Sequence, residues 1–256
     1  GVTVKEDFIK GQIREAENSP SEEVGVKTKT LNVWVDSSEV WIPTQYLNKV
    51  IKKVDTKKWG EEEVYVGIDL SATSDLTCVC YMAIIDGKPQ FKVDYYLPEA
   101  ALKEKRQKIL YGEWYRRGFL KLTPGNVTDY DVVLNDICDF DDKYHNILKV
   151  GYDSWNATQF VINATDRGLP MEPFSQSLGN FNRPTKELER LVLSNNCIID
   201  NNLINRHCFM NAVMIRDANG NTKPSKKEQE RKIDGLIAMI QSLGVYLTSP
   251  YAPSTF

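Results

Sequence analysis

Three aspartates stand out because each occurs in a segment that otherwise looks built for burial. Asp69 lies in the apolar run VYVGIDL, Asp153 ends the run ILKVGYD, and Asp234 lies one residue off the apolar stripe of a predicted last helix. An isolated buried carboxylate is costly unless it is hydrogen-bonded, paired or bound to a cation. Three converging carboxylates would repel one another, and a divalent ion relieves that repulsion. The pattern therefore predicts one metal site at Asp69, Asp153 and Asp234.

The kind of metal follows from the available ligands. Carboxylate oxygens favour Mg²⁺ or Mn²⁺, and two such ions about 3.5 to 4 Å apart can hold the attacking and leaving oxygens of an in-line phosphoryl displacement. Zinc is disfavoured because the only histidines are His145 and His207. The five cysteines are scattered without a Cys-x-x-Cys pair, which argues against both a structural zinc site and a disulfide framework.

Each aspartate taken alone also fits a purely structural role. Asp69 could cap the next turn, Asp153 could neighbour the N-cap of the following helix, and Asp234 could be a first-turn helix acid. Acids at the ends of elements are common, so one residue alone does not decide between the two interpretations. The occurrence of all three aspartates favours a metal site over three separate structural roles.

The order of elements predicts an α/β fold with a mixed sheet and helices on both faces. Alternation and composition indicate strands over 64–70, 77–85, 88–96, 146–153 and 170–175, and helices over 99–117, 129–143, 156–168 and 185–193. Asp86-Gly87 supplies a tight hairpin turn, and Gly168 suits the left-handed position after a helix. A lysine-rich loop is predicted over 217–227, before a last helix with an apolar stripe: Ile233, Leu236, Ile237, Ile240, Leu243 and Leu247.

Composition narrows the class of protein. The chain has 256 residues, of which 41% are hydrophobic and 26% charged, as in ordinary globular domains. It contains neither a run of eighteen apolar residues nor the apolar segment of a signal peptide, so we expect an intracellular protein without membrane contact. The formal net charge of -3 means that any contact with DNA must be local.

Three separated strings resemble the nuclease domain of the large terminase subunit of tailed bacteriophages: GIDLSATSDLT (67–77), YDSWNATQF (152–160) and KIDGLIAMI (232–240). The segment 31–42, LNVWVDSSEVWI, also resembles the part that precedes this domain in that family. The resemblance implies a ribonuclease H-like sheet in which Asp69, Asp153 and Asp234 bind two Mg²⁺ or Mn²⁺ ions. It also implies an endonuclease that cuts concatemeric double-stranded viral DNA during genome packaging.

The same resemblance also implies a neighbouring domain, binding partners and a location in the cell. Members carry an N-terminal ATPase, but no G-x-x-x-x-G-K-[ST] run occurs here. We therefore expect residues 1–60 to be a linker and the tail of a missing ATPase domain, and residues 61–256 to be the nuclease domain. The implied partners are double-stranded DNA, the ATPase domain, the small terminase subunit and the portal, in the host cell cytoplasm at the viral packaging motor.

A group of basic residues precedes the last helix, and it is predicted to form a positive edge that contacts the DNA backbone without reading sequence: Lys223, Lys226, Lys227, Arg231 and Lys232. Each of them taken singly fits a solvated charged loop equally well. Asp75 and Asp217 are auxiliary acids, and Asp75 is expected to cap a turn rather than to bind metal.

Two other functions fit parts of the sequence. Actin-like and chaperone-type ATPases share the underlying fold and open with a similar G-I-D-L strand, but Ser71-Ala72-Thr73 lacks the glycine of their phosphate turn, and no D-x-G-G-G motif follows. The other alternative is a non-catalytic module that docks on the motor, the portal or DNA, with vestigial acids. Metal-dependent nuclease activity is the preferred interpretation.

Overall fold

The computed structural model of the protein describes residues 41–60, 62–71, 75–103, 108–144, 146–154, 157–226 and 232–249. Its strands are β1 (Ile51–Lys52), β2 (Val64–Asp69), β3 (Thr77–Ile85), β4 (Lys88–Pro98), β5 (Lys121–Thr123), β6 (Ile147–Tyr152), β7 (Met171–Pro173), β8 (Ile198–Asp200), β9 (Ala212–Arg216) and β10 (Thr222–Lys226). Its helices are α1 (Thr44–Val50), α2 (Lys108–Arg116), α3 (Tyr130–Tyr144), α4 (Thr158–Asp166), α5 (Leu178–Leu193), α6 (Leu203–Asn211) and α7 (Asp234–Leu247). Two short 3-10 turns cover Thr56–Lys58 and Glu99–Lys103.

The strands form one mixed sheet and one separate hairpin. The sheet order is β1-β8-β4-β3-β2-β6-β7, with β5 beside β4. Strand β3 runs antiparallel to both of its neighbours, β2 and β4, whereas β6 and β7 extend the sheet in parallel from β2. Consequently β2, β6 and β7 all end at the same edge of the sheet, and this edge carries the candidate site.

Helices cover both faces of this sheet, as predicted. On one face, α3 and α4 pack with Val66, Ile68 and Val150 in a single apolar cluster. On the other face, α7 lies against β2, β3 and β6, and α5 and α6 pack on its outer side. Helix α7 is therefore buried on nearly every side, which explains why its sequence is apolar well beyond one stripe.

Two glycines in the sheet allow α7 to approach closely. A Cβ atom added at Gly67 would lie 2.1 Å from the Ala238 carbonyl oxygen, and one added at Gly151 would lie 2.6 Å from Cγ1 of Val245. At Gly67 the close atoms belong to the helix backbone, and only glycine leaves room for backbone at such a distance. This close packing fixes the position of α7, and therefore of its first residue, Asp234, relative to the end of β2.

Several local predictions are confirmed. Strands β2, β3 and β4 form the expected meander, and the turn between β3 and β4 has positive φ angles at Asp86 (51°) and Gly87 (73°). Gly168 follows α4 with a φ of 87°. Both turns use the left-handed conformation for which the sequence supplies glycine.

Other predictions differ from the structure. Helix α5 begins at Leu178, seven residues earlier than expected, because Ser177 caps it and Pro184 is accommodated inside it. The predicted loop 217–227 contains β10, which pairs antiparallel with β9 from Thr222 to Lys226. The helix expected over 99–117 is a 3-10 turn and α2, with residues 104–107 outside the described residues.

Residues 41–60, which fall in the segment predicted to be a linker, contact the rest of the described chain. Within residues 41–60, Trp41 stacks on Phe209 of α6, and Leu47 and Val50 of α1 belong to the main apolar cluster. Strand β1 then joins the sheet beside β8. These residues thus pack with the sheet. Residues 1–40 lie outside the described residues. Across the part of the chain that is described, no helix has the length and apolarity required to cross a membrane.

Candidate metal centre

The first side of the candidate centre is the sheet edge where β2, β6 and β7 end. Ile68 pairs with Tyr152, so Asp69 and Asp153 occupy equivalent places at the ends of two neighbouring parallel strands. Gln176 follows β7 by three residues, and its Nε2 donates a hydrogen bond to Oδ1 of Asp69 at 3.1 Å. Gln176 was not predicted from the sequence, although its position just beyond a predicted strand was a usable signal.

The second side is the first turn of α7. Asp234 is the first residue of that helix, and only 6% of its surface is exposed. Its Oδ2 atom is buried, and no described residue provides it with a hydrogen-bond partner. Asp69 and Asp234 line the same cavity of about 520 Å³, together with Asp75, Gln176 and Lys226. The structure therefore brings Asp69 and Asp234 together.

The pKa values of both carboxyls show the cost of this arrangement. Burial, then the charge of Asp234 and, least, that of Asp153 raise the pKa of Asp69 from 3.8 to about 8. The Gln176 hydrogen bond and Lys226 act in the opposite direction. Burial also raises the pKa of Asp234, against the influence of Lys226, of its own backbone N–H and of Lys232. Two desolvated carboxyls that share a cavity are an environment that favours a cation.

The three predicted ligands are not equally placed. Asp153 is close enough to influence Asp69 electrostatically, but it is not among the residues that line the 520 Å³ cavity. Among the described residues, no group of three or more His, Cys, Asp or Glu side chains is arranged to hold a metal ion. Coordination of one site by all three aspartates thus remains a prediction. The unpartnered Oδ2 of Asp234 beside Asp69 nevertheless fits a hard divalent ion such as Mg²⁺ or Mn²⁺.

Two described lysines of the predicted positive edge, Lys223 and Lys226, line this cavity. Lys226 Nζ lies 3.2 Å from Oδ2 of Asp75 and 3.8 Å from Oδ1 of Asp234. Lys232 also pairs with Asp75 and is itself 5% exposed, whereas Lys223 donates a 2.7 Å hydrogen bond to the Gln176 carbonyl oxygen. Asp75, which we expected to cap a turn, is the shared partner of two ammonium groups.

Lys227 and Arg231 lie outside the described residues. DNA binding by the positive edge therefore stays a prediction. Each of the three described lysines has a partner within the protein.

The order of this sheet, with acids at the end of its first antiparallel strand and at the start of its closing helix, defines a ribonuclease H-like domain of the nuclease type. Comparison with known families agrees with this assignment. The family model described as "Terminase large subunit, endonuclease domain" matches residues 1–249. The chain belongs to this family, and not to the actin-like ATPases considered above.

Individual relatives support the family assignment. The large terminase subunit of Enterobacteria phage HK97 is 32% identical over 193 residues, which cover 73% of this chain and 37% of that protein. The crystal structure of the HK97 large terminase superposes with a TM-score of 0.73 at 27% identity, covering 96% of this chain and 51% of that one. The chain thus spans about half of the HK97 structure.

Two more distant structures show the same fold. The large terminase nuclease of thermophilic phage G20c with bound magnesium has a TM-score of 0.51 at 12% identity, and covers 77% of this chain and 94% of its own. The large terminase of thermophilic bacteriophage D6E in complex with ADP has a TM-score of 0.53 at 13% identity, with coverages of 79% and 43%.

Proposed function

We propose that this chain is a metal-dependent endodeoxyribonuclease that cuts concatemeric double-stranded viral DNA during genome packaging. In this proposal, Asp69, Asp153 and Asp234 hold two Mg²⁺ or Mn²⁺ ions for phosphodiester hydrolysis. The observation that carries it is the buried Oδ2 of Asp234, which lacks a described partner and stands in one cavity with Asp69. Membership in the terminase nuclease family and the magnesium named in the G20c structure support the choice of reaction and ion.

The metal ions and the protein groups around them would have different roles. When bound, the metal ions supply Lewis-acid stabilisation of the phosphate and a more acidic water. Asp69 and Asp234 approach from the sheet edge and from the helix end, so the site is held by two rigid elements. Gln176 orients Asp69 through the bond from its Nε2 to Oδ1. The N-terminus of α7 adds a favourable potential for the carboxylate charge of Asp234.

We propose the following partners and location for the longer protein. Double-stranded DNA would lie along a basic edge formed by Lys223, Lys226, Lys227, Arg231 and Lys232. An ATPase domain would be joined to the nuclease, which is supported by the longer HK97 and D6E relatives and by the ADP named for D6E. The small terminase subunit and the portal complete the set of partners, at the packaging motor in the host cell cytoplasm.

A plasmid-nicking assay tests the proposed reaction. We expect the purified chain to convert supercoiled plasmid into nicked and linear forms with Mg²⁺ or Mn²⁺, and not with EDTA. Asp69→Asn, Asp153→Asn and Asp234→Asn should each cut at least about a hundredfold more slowly, because each removes a charged metal ligand. The exposed Asp139 of α3 offers a matched control, Asp139→Asn, which should cut like the parent. A folded parent that is inert with both metals would instead favour the docking module.

A further inference from the structure

The 520 Å³ cavity lined by Asp69 and Asp234, here called the acid cavity, contains a cation of its own, the ammonium group of Lys226. Its Nζ lies 3.8 Å from Oδ1 of the buried Asp234, and it lowers the pKa of both Asp234 and Asp69. On its other side it contacts Oδ2 of Asp75 at 3.2 Å. Lys226 therefore stands between the carboxyl pair and a second, more exposed carboxylate.

We propose that Lys226 is an internal counter-ion of the acid pair, that a divalent ion must displace it, and that Asp75 is the carboxylate that retains its ammonium group after displacement. The proposal rests on the metal site of the proposed function. It goes further by assigning roles in metal exchange to two residues that are not proposed as metal ligands.

The geometry makes such an exchange a short movement. The Lys226 backbone is fixed because the residue ends β10 and pairs with Ala212 of β9, so only the side chain has to move. Its ammonium group is already nearer to Asp75 than to Asp234. The side chain of Asp75 is 38% exposed and that of Asp234 only 8%, so water can solvate the ammonium group better beside Asp75.

Asp75 has a second cationic partner, which makes its charge more important. Lys232 also pairs with Asp75, and its side chain is only 6% exposed. A buried ammonium group needs its carboxylate, because an unpaired buried charge is strongly unfavourable. Without the Asp75 charge, Asp234 is the described carboxylate that still acts on both lysines, and they would compete there directly with a metal ion.

Two substitutions should therefore change metal affinity in opposite directions. Lys226→Met removes the competing cation, and we expect about tenfold tighter binding of Mn²⁺, a change of about 1.4 kcal/mol. Asp75→Asn removes the alternative partner of two lysines, and we expect about tenfold weaker binding. Lys226→Arg keeps the charge and should bind Mn²⁺ like the parent.

Titration calorimetry with Mn²⁺ alone, repeated with Mg²⁺, measures these affinities without relying on cleavage. Lys58→Met, on the exposed 3-10 turn, and Asp139→Asn are the matched controls and should leave the affinity unchanged. A melting curve in EDTA provides a second readout, in which Lys226→Met should melt below the parent because the acid pair loses its counter-ion.

Opposite shifts for Lys226→Met and Asp75→Asn, with a parent-like Lys226→Arg, would support the exchange. If the parent binds the ions but Lys226→Met binds them no more tightly, the counter-ion role is overturned and the proposed function survives. Parallel weakening by both substitutions would also overturn it, because both residues would then simply support the site. If the parent binds neither ion, the metal site itself fails.

Discussion

Asp69→Asn is expected to stabilise the metal-free protein at neutral pH. The folded protein holds the proton of Asp69 more tightly than the unfolded chain does, because burial and Asp234 raise its pKa from 3.8 to about 8. Between these two values the folded state binds more protons, so the stability contributed by this proton is complete below about pH 4 and is lost as the pH rises towards about 8. At about 1.4 kcal/mol per pH unit, the loss from pH 4 to pH 7 is about 4 kcal/mol.

Asparagine avoids most of that loss. It keeps an oxygen that accepts the Gln176 hydrogen bond, and it has no charge to desolvate beside Asp234. Burial of the amide costs about 2 kcal/mol, so the net gain at pH 7 is about 2 kcal/mol. For a domain of this size the melting temperature should rise by about 4 to 8 °C.

Differential scanning calorimetry in EDTA, at pH 7 and at pH 4, measures this effect. The melting temperature of Asp69→Asn should exceed that of the parent at pH 7. The difference should shrink or reverse at pH 4, because this pH is close to the pKa of 3.8 of the unfolded carboxyl and little of the loss has developed there. Asp139→Asn controls for the loss of a surface charge. The reasoning is refuted if Asp69→Asn is no more stable than the parent at pH 7, or if its advantage is equal at both pH values.

Two further predictions concern packing and DNA binding. Gly67→Ala should lower the free energy of unfolding, measured in urea, by about 3 kcal/mol or more, because the new Cβ would lie 2.1 Å from the Ala238 carbonyl oxygen. The control Gly112→Ala has open space around the new Cβ and should be neutral or slightly stabilising. Replacement of Lys226 and Lys227 by Ala should weaken DNA binding equally across sequences and reduce the salt slope by about one unit per lost phosphate contact. A parent-like affinity and slope in a salt titration would place the DNA on another face.

The sequence predicted those parts of the fold that depend on local pattern. Alternation, turn chemistry and helical spacing are properties of neighbouring residues, so they can be recognised in the sequence. They predicted the apolar runs around Asp69 and Asp153, the Asp86-Gly87 turn and the apolar stripe of α7. The proximity of Asp69 and Asp234 was also predictable, because carboxylates in core segments are costly unless they share a cation or another partner.

The remaining parts depend on contacts between distant segments. Strand β10 has the sequence TKPSK, which lacks apolar alternation, and it is held by pairing with β9 and by contact with α5. Trp41 is buried because it stacks on Phe209, which lies more than 160 residues away in the chain. Likewise, the pairing of Asp75 with Lys226 joins two segments that are about 150 residues apart in the chain and meet only in the tertiary structure.

Anomalous diffraction from crystals grown with Mn²⁺ tests the central claim most directly. We predict manganese density between the carboxylates of Asp69 and Asp234, with the Asp153 carboxylate turned towards it and the Lys226 ammonium group moved towards Asp75. Manganese bound elsewhere, or an acid cavity without manganese at a saturating concentration, would contradict the assignment of these aspartates as the metal ligands of a nuclease.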